Sequence, residues 1–546
     1  MSISMTKIRL STKFAYGVGA IGESSVIWLF STLAFFYYNQ VIGLSGTLAG
    51  LAVLIATIFD AISDPLVGSI SDNYKSRLGR RHPFMFAAPL PAMICIYFIF
   101  TPPSGLDQIA IFAWFAIFTI LLRLSITLYT IPHLALGAEL SDDYIERSNI
   151  MSFNNVFAYT GVIIMHVYVW FLIFPNIDGY EMGQLSKDAY PPIVFFSCIL
   201  IGTAMTASAF FTKDQIPNLK QADARNENNL ALRFFKDIFA VLKNPNYLYL
   251  LLGIFFLSIL IGTHETLGLY MYTFYWKLSP IQTGWLIMNN VFGYAIGFII
   301  TSKLHKKFDK PIIIVLSAIL LSLFWSLAVI LSLFGLAPAP ASWDLVIFII
   351  ILGSVAAAGG SILHISVMSA LADVCDEHEL LTGYRQEGIF YSARSFFAKT
   401  SAGVGHVIAG VALDIINFPR GDINAEVTES MLFNLGLLDG PFAMIWGLIA
   451  AVFYAAYILA IKRLTNSLPP AHTLFFATVF TAIFLFPVGL LESESLFPKT
   501  KKGWIVLLAY AFVSQSLAQG LITLGISRLS AHVSSLTLLI QPVAAA

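Results

Sequence analysis

The feature that most limits what this chain can fold into is the recurrence of long apolar runs. A helix crosses the bilayer core with about 20 mainly apolar residues. Runs of that length recur about a dozen times before residue 460, near 14–38, 47–71, 84–101, 108–138, 150–175, 191–212, 247–274, 281–303, 311–336, 344–372, 387–416 and 440–461. A strand barrel is excluded, because the runs are long and do not alternate residue by residue. Of the 546 residues, 58% are hydrophobic and 11% charged, too few polar side chains to coat a soluble globule. The sequence therefore predicts an all-α polytopic membrane protein.

Net charge is zero, so no basic excess points to nucleic acid and no such partner is expected. Cys95, Cys198 and Cys375 lie far apart without metal or CxxC spacing, and read as small core hydrophobes. Lys7, Arg9 and Lys13 precede an apolar run that is long and has no small-residue cleavage pattern, so a retained first span is expected.

Basic residues set the expected sidedness. "DNYKSRLGRRHP", the linker at 213–245 and "KLHKKFDK" are basic, whereas the alternate loops "TPPSGLD" and "APAPAS" carry no Lys or Arg. The basic set is expected at the cytoplasm, with a cytoplasmic N-terminus, in an inner or plasma membrane. The plan that follows is a six-helix bundle over 1–212, a linker over 213–246 and a second six-helix bundle over 247–461. Within the linker, "LALRFFKDIFAVLKN" reads equally well as an amphipathic surface helix or as a simple tether. The tail, 462–546, predicts about two to three further helices, including a span at 504–527. Its last apolar run is too short to cross, as though the chain stopped within an element, and "PKTKKG" would fall on the wrong side for the positive-inside trend.

In the second span, "IFDAISDPLVGSISD" sets Asp60 and Asp64 four apart, hence on one helical face. An ionised side chain at membrane depth costs about 2.5–3.5 kcal/mol on insertion scales, and two like charges at this spacing repel. Three arrangements relieve that cost. One acid is protonated, or a cation visits the pair, with Ser63 and Thr127 adding hydroxyl oxygens to an oxygen shell, or a fixed ion pair with Arg123 locks the second span to the fourth. Glu23, Glu265 beside His264, Asn154, Asn155, Asn289, Asn290, Arg394 and Lys399 place polar groups in several other spans, which favours a central polar cavity. His166, His364 and His406 read more readily as packed core residues. Tyr270, Tyr272, Phe274, Tyr275 and Trp276 read either as belt residues or as an aromatic lining for a sugar-like ring. No P-loop, HExxH or GxSxG is present, so no enzyme is expected, and energy for pumping would have to come from an ion gradient.

"YGVGAIGES", "FDAISDPLVGSISDNYKSRLGRRHPF", "YTIPHLALGAELSDDYIERS" and "ALADVCDEHELLTGYRQEGIFYSARSFFAKTSAG" together resemble the glycoside-pentoside-hexuronide cation symporters, the melibiose-carrier-like branch of the major facilitator superfamily. The resemblance spans about residues 10–455. It implies a major facilitator fold of two six-helix bundles, alternating access, and uptake of a sugar, glycoside or uronide with Na⁺ or H⁺. It also implies that Asp60, Ser63, Asp64 and Thr127 form the cation site, with Na⁺ at Asp60 and Asp64 if sodium is the coupling ion, and that Lys399 lies near both sites. The family's sugar-site positions are altered here: they fall on Glu23-Ser24, Thr130, Leu134 and Asn155. The expected substrate-binding set is thus Glu23, Ser24, Thr130, Asn155, Lys399, Glu265 and Arg394. The tail resembles one partial repeat of the drug/metabolite (EamA-like) transporters.

Two further expectations complete the reading. Arg77, Arg80 and Arg81 would pair with Glu139, Asp142 and Asp143 at an inner gate, or serve topology alone. The partners would be a small carbohydrate and the lipid bilayer, with the coupling ion in place of any cofactor and the chain a monomer. The alternatives are a cation-coupled carrier of lysolipid or another organic solute, and, in a different class, a membrane receptor or membrane-embedded enzyme.

Overall fold

The structure, a computed structural model, describes residues 8–177, 179–219, 238, 241–242, 244–383, 387–422 and 425–465. Most of the linker and the tail beyond 465 therefore lie outside the described residues, and with them the amphipathic-helix and extra-helix expectations.

Among the described residues, twelve helices are long and apolar enough to cross a membrane: α1 (Leu10–Ala34), α2 (Gly46–Asn73), α3 (His82–Phe100), α4 (Gln108–Glu139), α5 (Tyr144–Asn176), α6 (Lys187–Asn218), α7 (Asn246–Tyr275), α8 (Pro280–Leu304), α9 (Lys310–Leu333), α10 (Trp343–Leu380), α11 (Glu387–Ile415) and α12 (Glu429–Tyr457). Local chemistry fixes many of their starts. Side-chain oxygens of Ser45, Asp107, Asp143, Ser342 and Thr428 each accept a first-turn backbone N–H. Ser279 and Gln282 form a reciprocal capping box ahead of α8. Gly383 takes the left-handed conformation (φ 75°) that closes α10.

The helices pack in two groups. In the first bundle α1 packs on α5 and α6, and α4 on α2 and α3; in the second, α7 packs on α11 and α12, and α10 on α8 and α9. The main seam between bundles is α2 against α11. It is a contact between backbones. A Cβ on Gly46 or on Gly410 would run into the other's backbone, and one on Gly50 would meet the His406 carbonyl at 2.7 Å. Small residues are what allow membrane helices to approach this closely.

All helices have one end on the face that carries the basic loops 74–81 and 305–310, called here the basic face. Several ties between the bundles stand on the opposite face. Asp414 of α11 accepts from the Gly46 and Thr47 N–H groups at 3.0 and 2.8 Å, capping α2 from the other bundle. Gln40 donates to the Pro419 carbonyl and accepts from Gly421 N–H, Tyr270 donates to Asn39, and His166 donates through Nε2 to the Gly284 carbonyl.

Candidate functional site

Asp60 and Asp64 come from the middle of α2, with Asp60 about 21 Å along the helix from Gly46 at 1.5 Å per residue. Pro65 follows the pair inside the helix. Its missing N–H leaves the Ala61 carbonyl without its i+4 intrahelical donor. Thr127 of α4 completes the group: its hydroxyl lies 3.0 Å from Asp60 Oδ1 and 3.0 Å from Asp64 Oδ1. Lys399 of α11 reaches across the seam, its Nζ 2.8 Å from Asp60 Oδ2 and 2.5 Å from Asp64 Oδ2. Arg123 is further off, 3.7 Å from Asp60 Oδ2, with its guanidinium over the Phe30 ring at 5.1 Å.

The pair is thus bridged between the bundles, and its principal countercharge is Lys399 rather than Arg123. The ammonium side chain is about one-third exposed, and a cavity of about 170 Å³ abuts the group, lined by Asp60, Asp64, Arg123, Thr127, Thr130 and Lys399. A long flexible amine beside open space differs from a guanidinium fixed by two planar bonds. It can withdraw and leave an oxygen cradle behind. Ser63 is placed differently from the acids: its hydroxyl donates to the Asp60 carbonyl at 3.1 Å and stays on the helix backbone.

A second, larger cavity of about 1280 Å³ lies between the bundles. Of the residues expected to bind substrate, it is lined by Glu265 and Arg394. Thr130 and Lys399 line the small cavity, whereas Glu23, Ser24 and Asn155 line neither. Glu23 faces His133, with Oε2 3.9 Å from Nδ1. Ser24 donates to the Ala20 and Ala158 carbonyls, each at 2.7 Å, and so pins α1 to α5. Of the aromatic run in α7, Tyr272 lines the cavity, while Tyr270, Phe274 and Phe418 pack with Phe36 in an aromatic plug toward the face opposite the basic loops.

The basic loop forms a tight network within the first bundle. Glu139 Oε1 accepts from Arg81 at 2.8 Å and lies 2.8 Å from Arg80, while Arg81 also bonds Ser71 and Asp72. These contacts join the ends of α2 and α4 to the start of α3. Asp143 instead caps α5 by accepting from Glu146 N–H at 2.7 Å. Arg77 is exposed.

Two features escaped the sequence reading. One is the α2–α11 glycine seam, although "GTLAG" at 46–50 is a G-x-x-x-G pattern that signals close helix approach. The other is Asp414, an acid near a span end whose partner helix no local pattern names.

Comparison with known proteins places these observations. The family described as "MFS/sugar transport protein" matches residues 15–460, and the EamA-like transporter family matches residues 441–546. A protein described as an uncharacterized symporter of Synechocystis sp. is 24% identical, covering 83% of this chain and 95% of its own. The glucuronide carrier protein homolog of Escherichia coli is 22% identical, covering 80% of this chain and 91% of its own. A solved nucleoside transporter superposes with a TM-score of 0.54 at 14% identity, over 82% of this chain and 99% of its own, which shows a shared fold.

Proposed function

This chain belongs to the MFS/sugar transport protein family, and from that premise we propose that it is a cation-coupled symporter that carries a sugar or glycoside across the membrane by alternating access. The observation that carries the reading is the Asp60–Asp64 pair, held from the opposite bundle by Lys399 and shared by the Thr127 hydroxyl. Symporters named among its relatives support the same class.

Lys399 acts as an internal cation that offsets one of the pair's two charges and bridges both carboxylates while the site is empty. Na⁺ or H⁺ entering from the small cavity takes its place between the carboxylates. Asp60 Oδ1, Asp64 Oδ1 and Thr127 Oγ1 are the oxygens on offer to a hard cation. Displacing the amine removes a charged tie between α2 and α11, so ion occupancy changes the energy of opening the seam. Coupling needs only a preference of about 1–3 kcal/mol for one state. The two bundles rock about this centre, the substrate occupies the large cavity, and no cofactor takes part. By the positive-inside rule the basic face is cytoplasmic, and the closed side, with Asp414 and the aromatic plug, then faces outward.

The test is uptake by the full chain in proteoliposomes, with a series of radiolabelled glycosides under Na⁺, Li⁺ or proton gradients. Ion-dependent accumulation that Asp64→Asn abolishes supports the reading; accumulation of no solute under any gradient sinks it.

A further inference from the structure

The polar lining of the large cavity is unevenly shared between its two walls. On the wall from the first bundle stand Trp28, Thr32 and His166. Trp28 packs edge-on against His166, with ring centroids 5.4 Å apart, and His166 Nε2 is committed to the Gly284 carbonyl. Among the described residues, that wall carries no carboxylate, ammonium or guanidinium. On the facing wall stand Glu265, Asn289 and Asn290. Glu265 makes no hydrogen bond or ion pair with any described residue; His264 and Arg123 act on it through space alone. Asn289 Oδ1 is buried with no partner, and Asn290 is exposed to the cavity.

A carboxylate lining the cavity and a buried amide oxygen beside it, both without partners, are acceptors that lack donors, since leaving such groups unpaired costs about 1–3 kcal/mol each. Sugar hydroxyls are donors of that kind. Trp28 and Glu265 lie 18 and 19 residues from the basic-face ends of their helices, so they share a depth. Among the described residues, no other charge pairs directly with Glu265. His264 Nδ1 is 2.8 Å from Asp439, and its ring lies 4.2 Å from that of Trp325. Arg394 lies only seven residues from its basic-face end, roughly 18 Å shallower at 1.5 Å per residue. An anionic substituent beside the Glu265 carboxylate would meet an acceptor-bearing acid that has no ion-pair partner at contact distance.

We propose that the large cavity selects an uncharged, hydroxyl-rich ring, with Glu265, Asn289 and Asn290 of the second bundle reading its hydroxyls and Trp28 of the first supplying the flat surface beneath it. The proposal rests on the symporter reading and sharpens it: uronates and sulfonated sugars are excluded as substrates.

Counterflow with the full chain in proteoliposomes tests it, using methyl β-glucoside, methyl β-galactoside and methyl β-xyloside against the matching glucuronide. The expected result is exchange of a neutral glycoside and not of the glucuronide. Glu265→Gln should raise the half-saturating concentration by about tenfold or more and admit the glucuronide. Asn290→Ala, expected to cost severalfold, carries the same test if Glu265→Gln fails to fold. A wild-type protein that prefers the glucuronide, a Glu265→Gln variant whose selectivity is unchanged, or an Asn290→Ala variant whose half-saturating concentration is unchanged overturns the proposal while ion-coupled symport stands. If no sugar moves in an ion-dependent way, the symporter reading fails and takes the proposal with it.

Discussion

On the side away from the basic loops, the bundles meet through backbone: Gly46 and Gly50 against Gly410 and His406, with the Asp414 carboxylate on two N–H groups of α2. At mid-depth the same two helices are joined instead by charge, one lysine on two carboxylates. The first kind of contact is short-ranged and sequence-tolerant only toward small residues. The second is strong but exchangeable, because another cation can replace the amine. A seam that is steric at one end and ionic at the other can be held shut by shape and released by an ion.

The largest effect should come from breaking the ionic end. Asp64→Asn leaves Lys399 half-paired, and loss of one partner of a buried pair costs about 3–5 kcal/mol. Gradient-driven uptake should fall by two orders of magnitude or more, roughly in line with that figure. A fall of less than about tenfold would show that the pair is scaffolding. Next comes the steric end. Gly410→Leu places a side chain where the Gly46 backbone now sits, so the closed outer seam cannot form. A cysteine introduced at Thr47 should then be alkylated from outside at least about tenfold faster, as expected when a close small-residue contact is lost; an unchanged rate would contradict the steric half.

Asp414→Ala should act more mildly, since it frees two backbone donors of α2 at about 1–3 kcal/mol. The same alkylation assay should show an intermediate rise, with Asp414→Asn closer to wild type. Smallest of all is Ser24→Ala. It removes a hydroxyl that pins α1 to the Ala158 carbonyl, so thermal stability should drop by about 1 kcal/mol while the half-saturating substrate concentration stays put. A selective rise in that concentration would return Ser24 to the substrate site.

The extent of each span was legible where hydropathy and helix end together, as at 47–71 against Gly46–Asn73. It was not legible where a helix outruns the membrane. α10 continues to Leu380 through Asp373, Asp376 and Glu377, charges that end an apolar run without ending a helix. α12 likewise begins at Glu429, before the apolar run from about 440. The two family matches overlap over residues 441–460, from within α12 to just past its end, as a shared apolar helix ending in basic residues would allow.

The acids of the site could be read from sequence, because two carboxylates four apart in an apolar run are conspicuous by cost alone. Their partner could be read only through the family resemblance, since Lys399 meets Asp64 across 335 residues of chain, a distance that no local periodicity encodes. The substrate wall was harder still. Glu23 and Glu265 carry the same group in similar spans, and only tertiary packing turns one toward His133 and the other into the large cavity.

The most direct test of the central claim, that Lys399 holds a place an incoming cation takes, is calorimetric titration of Na⁺ into the nanodisc-embedded protein, with proton release followed in parallel. The account predicts ion binding in the wild type, its loss in Asp64→Asn, and tighter binding in Lys399→Gln, where the internal competitor is gone. Binding that is the same in all three proteins, or that weakens when Lys399 is removed, would contradict it.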